Sequence, residues 1–562
     1  MKEKKAFVKL NRANREIQKL LIFAAVVTLA ITPTINHDPI NQIKLFILVV
    51  MAGYFILDFT KFIFKNPYTL YENKSDRRII SFFRLALPLM ISIKLLSDVL
   101  NKGNIFQQLF GSFGRNNGLL AYIALAVIFG AATNLSLKAG LSKEITRLFV
   151  WLSLILVSYG LLQIFNLDPV DWKVLYNPIM LTLGNPNFSS SILGMLFCFL
   201  FPQTLSNDIK SRQRFFILVL CLAITYVTIK TDSLQGLILI ALGLIGSIVI
   251  KTWYLLKIKR WLNLTVAFFV FIFSMLACGA FGIGPLSSSL KQQTLLIRVE
   301  YWRTALAMWR DNFWFGLGSS SYGDYFRSYR DERSFELLGP KVGSSSAHNV
   351  LLDHLASSGI IVFLIIFSIQ LLPLGVAIRR LIVNTQYDSI FVGITLFYLA
   401  YLFQAQISID NLGLAVWGWL FGGLALGGAI YKETEFIRRD KAGNYQSIFG
   451  ALTATFALLL YSPYFTSDTR FISALKSGDL ISVKEAVSNQ MSDPEKYLFV
   501  IELFASQGFK DEAKSLSEYA LSRFPNSYIL LIQRIATFDL DSEERSTLII
   551  RLKRIDPYFE SI

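Results

Sequence analysis

Residues 344–380 read "SSSAHNVLLDHLASSGIIVFLIIFSIQLLPLGVAIRR". From Gly359 the chain carries no charge until Arg379, a length that suits one crossing of a lipid bilayer. Directly before that run stand His348 and His354, two of only three histidines in 562 residues. The stretch therefore joins a membrane span to the scarcest titratable side chain in the protein, and the rest of the sequence is read outward from it.

Similar runs recur from Leu20 to about Phe465, and 53% of the residues are hydrophobic, 47 of them phenylalanine. Apolar periodicity and length give about thirteen spans, centred near Ala25, Gly53, Leu87, Ala126, Ser153, Met195, Ala223, Leu242, Val270, Phe367, Leu396, Gly418 and Ala454. The expected fold is all-α, a polytopic bundle of about 12–13 membrane helices. A net charge of +16 would point to nucleic acid in a soluble chain, but here it follows topology. With the N-terminus in the cytoplasm, loops and tails on that side hold about 28 lysines and arginines against 3 in the opposite short loops. The positive-inside rule then places residues 284–358 and everything after the last span on the extracytoplasmic side. Cys198, Cys221 and Cys278 lie in apolar runs, which argues against a disulfide framework or a Cys-rich metal site. No small-residue cleavage site follows the first span, so it reads as an anchor.

The chain divides into a membrane domain, residues 1–466, and a tail, residues 467–562. In the tail, Tyr497, Phe504, Gly508, Ala513, Ala520 and Pro525 stand at the offsets of a tetratricopeptide repeat. It reads either as a short helical-repeat module that binds a partner protein or as a helical stub that covers the membrane domain.

The long extracytoplasmic segment holds the candidate chemistry. In "LLIRVEYWRTALAMW", Leu295, Val299, Trp302, Ala305, Leu306 and Trp309 share one helical face, and Arg298 lies among them. A guanidinium aimed into an apolar face is costly without an anion, which makes Arg298 the first candidate ligand for one. Arg303 and Arg310 lie at the edge of that face. "NFWFGLGSSSYGDYFRSYR" follows, with Gly316 and Gly318 permitting a tight turn, aromatic rings that suit an interfacial belt, and Arg327 and Arg330 placed to meet an acidic sugar or a pyrophosphate. Ser344 to Ser346 are positioned to cap a helix beginning around His348, so that His348 falls in its first turn, where the helix dipole favours neutral imidazole and bound anions. A lone histidine in such a place is ordinarily a capping or interfacial residue. His348 and His354 are about 240° apart on a helix and share no face, which excludes a two-histidine metal site.

"RVEYWRTALAMWRDNFWFGLGSSSYGDYF" followed by "AHNVLLDHLASSG" resembles the O-antigen ligase and O-antigen polymerase superfamily. Arg298 and Trp302 fit its R-x-x-x-W element, Gly316 and Gly318 its G-x-G turn, and His348, Asn349 and Gly359 its histidine element. "LTLGNPNFSSSILG" and "TDSLQGLI" resemble two upstream elements, with Leu234 and Gln235 where an arginine is usual. The resemblance spans about residues 180–430. It implies a glycosyltransferase at the outer face of the bacterial inner membrane, moving a glycan from a polyprenyl diphosphate (undecaprenyl diphosphate-type) carrier to a glycan, lipid or protein hydroxyl. Arg298, helped by Arg303, Arg327 or Arg330, would hold the diphosphate; His348 would be the general base; Trp302, Asn349, Gly316 and Gly318 would line the substrate site. Neither a metal nor a cofactor is implied. The competing expectation from another class is a lipid or polysaccharide flippase.

Overall fold

The computed structural model describes residues 2–64, 74–101, 103–139, 144–172, 179–256, 293–384, 386–430 and 445–559. Among these it is all helical. The elements are α1 (Lys2–Leu29), α2 (Asn41–Phe64), α3 (Lys74–Asn101), α4 (Ile105–Phe110), α5 (Leu119–Ala139), α6 (Glu144–Ile164), α7 (Pro186–Thr204), α8 (Ser211–Lys230), α9 (Leu234–Leu256), α10 (Gln293–Asp311), α11 (Tyr322–Tyr329), α12 (Glu332–Leu338), α13 (Val350–Val383), α14 (Ser389–Ala405), α15 (Leu412–Ile430) and α16 (Tyr445–Ser477), with five tail helices α17 (Leu480–Val487), α18 (Pro494–Ser506), α19 (Lys510–Arg523), α20 (Tyr528–Thr537) and α21 (Ser542–Ile555). Nine of the described helices are long and apolar enough to cross a membrane. The protein is a polytopic membrane helix bundle. Twelve of the thirteen expected span centres fall inside α1–α3, α5–α9 and α13–α16; the one near Val270 lies outside the described residues, as does Cys278.

The bundle forms around α5 and α15, both almost wholly buried. Glycines bring them together: a Cβ at Gly427 would lie 2.0 Å from Ser136 Oγ, and one at Gly423 2.4 Å from the Phe129 carbonyl. In lipid, apolar surface gains nothing by leaving the tails, so this close backbone approach supplies the packing energy. Helix α2 packs on α16 by the same device, with Gly53 against Thr453 and the Thr453 hydroxyl on the Gly53 carbonyl at 2.6 Å.

Helix α16 carries the chain out of the bundle and into the tail as one unbroken helix, so the expected boundary at 466 falls inside it. The tail has its own core, in which Tyr497, Phe504, Ala513 and Ala520 are buried between α18 and α19. It is tied back to the membrane part by buried ion pairs. Lys496 Nζ meets Asp468 Oδ1 at 2.7 Å, and the other Asp468 oxygen accepts from the His37 N–H at 2.6 Å. Arg330 Nη2 meets Asp556 Oδ2 at 2.5 Å, both side chains being inaccessible to solvent, and Arg327 shares the same oxygen at 3.3 Å while lying 3.7 Å over the Tyr528 ring.

Removing one partner of a buried pair leaves the other uncompensated, at a cost of about 3–5 kcal/mol. The Asp556→Ala variant is therefore expected to loosen the docking of the tail on residues 322–343, read as faster limited proteolysis there and a lower melting temperature. An unchanged digestion pattern would remove the clamp.

Candidate functional site

The site is built where α13 breaks. Gly359 takes φ 76° and ψ −176° inside that helix, a backbone open to glycine and costly for other residues. The break frees the Ala356 and Ser357 carbonyls and the Ile360 N–H from their helical partners, and buried backbone groups need new ones. Residues 313–318 supply them. The Leu317 N–H donates to the Ala356 carbonyl at 3.0 Å, the Gly318 N–H to the Ser357 carbonyl at 2.9 Å, and the Ile360 N–H to the Phe313 carbonyl at 3.0 Å. The approach is so close that a Cβ at Gly359 would sit 2.1 Å from the Trp314 oxygen, and one at Gly316 2.4 Å from the Ser357 backbone. The end of α3 locks the loop, with Ser97 Oγ donating to the Phe315 carbonyl at 2.5 Å and Asn101 Nδ2 to the Gly316 carbonyl at 3.1 Å.

This corrects the expected role of Gly316 and Gly318. Their amides do not face a ligand; that of Gly316 is taken by the Asn312 carbonyl and that of Gly318 by Ser357. The glycines serve backbone pairing.

The helix start also differs from expectation. Asn349, not a serine, is the N-cap: its Oδ1 accepts from the Leu352 N–H at 3.1 Å and its Nδ2 donates to the Gln406 carbonyl at 2.9 Å. Asn349 is spent on anchoring. His348 thus precedes the cap and adopts φ 53°, the left-handed region, whose cost for a non-glycine residue is about 1–3 kcal/mol. Asp353 holds it there. One carboxylate oxygen accepts from the Ala347 N–H at 2.6 Å and the other from Ser346 Oγ at 2.7 Å, while that hydroxyl oxygen accepts from the His348 N–H at 2.9 Å. Asp353 thus fixes the peptide that carries His348.

The His348 ring stacks on Tyr301, with centroids 5.1 Å apart and planes at 25°. Tyr301 lies on α10 one turn from Arg298, and its neighbours Ala305 and Met308 are buried with it against α13 and the loop. The inward face of α10 is therefore rotated from the expected one: Thr304 and Met308 are buried, and Leu306 is 38% exposed. Arg298 remains on the buried side of the helix, half-buried, and among the described residues it meets no carboxylate; burial lowers its pKa. A third element converges from the turn between α4 and α5. There Arg115 Nε donates to Ser345 Oγ at 3.1 Å. Burial first, then the guanidinium groups of Arg115 and Arg298, push the His348 imidazole down to about 3. Both positive charges are thus felt at the histidine.

The other expected arginines are used elsewhere. Arg303 pairs with Glu300 at 3.5 Å, and Arg327 and Arg330 are consumed by Asp556 and by the carbonyls of Pro340, Lys341, Gly339 and Val342. Trp302 is buried in α10. In the "TDSLQG" element Leu234 is 61% exposed, while Gln235 Nε2 is spent on Ser191 Oγ at 2.8 Å, so no charge comes from there. Among the described residues no three His, Cys, Asp or Glu side chains converge as a metal site would require.

Residues 215–367 match the family model described as O-antigen ligase. That segment is similar to an O-antigen ligase domain. The matched segment contains Arg298, Tyr301, His348, Asp353 and Gly359, and it is shorter than the 180–430 over which the resemblance was read. Arg115 lies outside it, in the turn between α4 and α5. No curated protein matches the chain.

With its pKa held near 3, His348 in the free protein is expected to stay neutral across pH 5–8. With three histidines in the chain, nitrogen-15 histidine spectra compared with those of His348→Gln would isolate its signal. A midpoint near the ordinary 6.5 would contradict the placement of the two arginines.

Proposed function

We propose that the protein transfers a glycan from a polyprenyl diphosphate carrier to an acceptor hydroxyl, with His348 as general base and Arg298 and Arg115 receiving the diphosphate. The supporting observation is the convergence of three chain segments on one imidazole: His348 held in a strained backbone, and two guanidinium groups acting on it, one from α10 and one from the turn between α4 and α5. Arg298, without a carboxylate partner among the described residues and next to a neutral imidazole, forms an arrangement that lacks one component, an anion.

The chemistry follows in order. The acceptor O–H gives its proton to the unprotonated nitrogen of His348 as its oxygen bonds to the anomeric carbon. The bond from that carbon to the phosphate oxygen breaks on the opposite face, its electron pair leaves with the diphosphate, and the configuration inverts. The arginines stabilise the charge that gathers on the leaving group. A free imidazole with a pKa near 3 is a weak base, but the donor itself corrects this. Its negative charges offset the field of Arg115 and Arg298 that depresses the histidine, so the base strengthens when the substrate is in place.

The distribution of basic residues supports an orientation in which α1 starts in the cytoplasm and the site and tail face outward from a bacterial inner membrane. Ligation to a lipid core and polymerisation of repeat units use the same residues, and the acceptor distinguishes them.

His348→Ala and Arg298→Ala are each expected to lower glycan transfer in membrane vesicles by roughly a hundredfold or more, with unchanged protein level and insertion. Near-normal transfer in either variant would remove the mechanism.

A further inference from the structure

Two lysines are buried inside membrane helices, and they are treated in opposite ways. Lys44 on α2 spends all three ammonium protons on carbonyls at the end of α1, those of Val27, Thr28 and Ala30, at 2.8–3.1 Å. Lys94 on α3 is equally buried, yet it makes one hydrogen bond, to Ser358 Oγ at 2.9 Å, with the Tyr122 ring at 4.8 Å as its other neighbour. Among the described residues no carboxylate lies within 4 Å of it. An ammonium left that way in a membrane interior is expensive, and such groups mark ligand sites.

Other polar groups around it also lack partners. His354 is 2% exposed, and neither of its ring nitrogens has a partner. The Ser320 hydroxyl is buried and unpartnered in the same way. Lys94, Arg115, Tyr122, Ser320, His354 and Ser357 line one cavity together with Ser345 and Ser346, which lie three and two residues before His348 in the chain. Of the carboxylates nearby, only Asp353 lines the cavity and has both oxygens committed; Asp98 and Asp410 each keep one buried oxygen without a partner, outside the lining. Asp353, which also lines the cavity, takes the Ala347 N–H and the Ser346 hydroxyl; Asp98 takes the Ser319 N–H at 2.6 Å; Asp410 takes the Tyr122 hydroxyl at 2.8 Å. An ammonium, a guanidinium, an imidazole and a hydroxyl therefore line a space whose one lining carboxylate, Asp353, is already occupied.

We propose that this cavity is a phosphate-binding chamber, built by Lys94 and His354 beneath the transfer site, which receives a phosphate group of the carrier's diphosphate. It rests on the reading of the donor given above. Lys94 and Arg115 belong to α3 and to the turn before α5, outside the matched domain, so the chamber is contributed by the N-terminal helices. His354 is one turn into the short helix that His348 precedes, and a phosphate held there leaves the bond to the sugar within the neighbourhood of His348.

The test measures binding, independently of transfer. Purified protein in lipid nanodiscs is titrated calorimetrically with inorganic pyrophosphate and with a short prenyl diphosphate, as wild type, Lys94→Met and His354→Phe. Both variants are expected to weaken both probes by about tenfold or more, the loss expected for a hydrogen bond to a charged group. Tighter binding of the prenyl diphosphate than of pyrophosphate identifies the lipid as the source, whereas equal binding overturns the carrier assignment. Lys94→Met is also expected to raise the melting temperature of the ligand-free protein, because it removes an unpaired buried charge; a structural lysine would give the opposite sign. Wild-type affinity in both variants overturns the chamber even if glycan transfer is intact. Wild-type protein that binds pyrophosphate through Lys94 but transfers no glycan supports the chamber and removes the enzymatic reading instead.

Discussion

A helix that breaks at the mouth of a membrane bundle must find partners for the backbone groups it releases, and the rest of the site depends on how this one does so. The carbonyls of Ala356 and Ser357 and the N–H of Ile360 are taken up by residues 313–318, through glycines that admit no side chain. Water is scarce at that depth, so the pairing is obligatory. Because the loop that pairs there continues directly from α10, the break fixes where α10 lies. Arg298 is thereby delivered to the same place as His348, although fifty residues separate them.

The two sides of the break do different work. The short helix before Gly359 carries His348 ahead of its cap, Asp353 in its first turn and His354 in its second, so one element presents the strained imidazole, the carboxylate that holds it and the unpartnered imidazole below. The longer segment after Gly359 is an ordinary membrane helix. The tail joins from outside, where Asp556 takes up Arg327 and Arg330 and so holds the aromatic loop without entering the site.

How much of this could be read from the sequence differs by scale. Spans were legible because a lipid crossing demands a long uncharged run, and twelve of the expected centres fall within described helices. Arg298 and His348 stood out in the sequence because a charge on an apolar face and an isolated histidine at a span's mouth are anomalies in one dimension. Asn349 was expected to line the substrate site, with the serines as caps, and the structure spends it on the helix start instead. The roles of Arg115, Asp353 and Lys94 were not legible. Each acts through a partner that the fold brings from elsewhere: Ser345 for Arg115, the peptide before His348 for Asp353, Ser358 for Lys94. Arg327 and Arg330 were misplaced for the same reason, since their counter-charge stands more than two hundred residues downstream. Gly316 and Gly318 carried a true signal of tight backbone, but sequence could not say whether a ligand or a broken helix required it.

The central claim is that Arg298 and His348 serve one reaction centre. The most direct measurement is a double-mutant cycle on glycan transfer, with Arg298→Ala, His348→Ala and the two combined. Groups that act as a unit are non-additive. The account predicts a double variant no slower than the worse single variant; losses that multiply, as for independent sites, would contradict it.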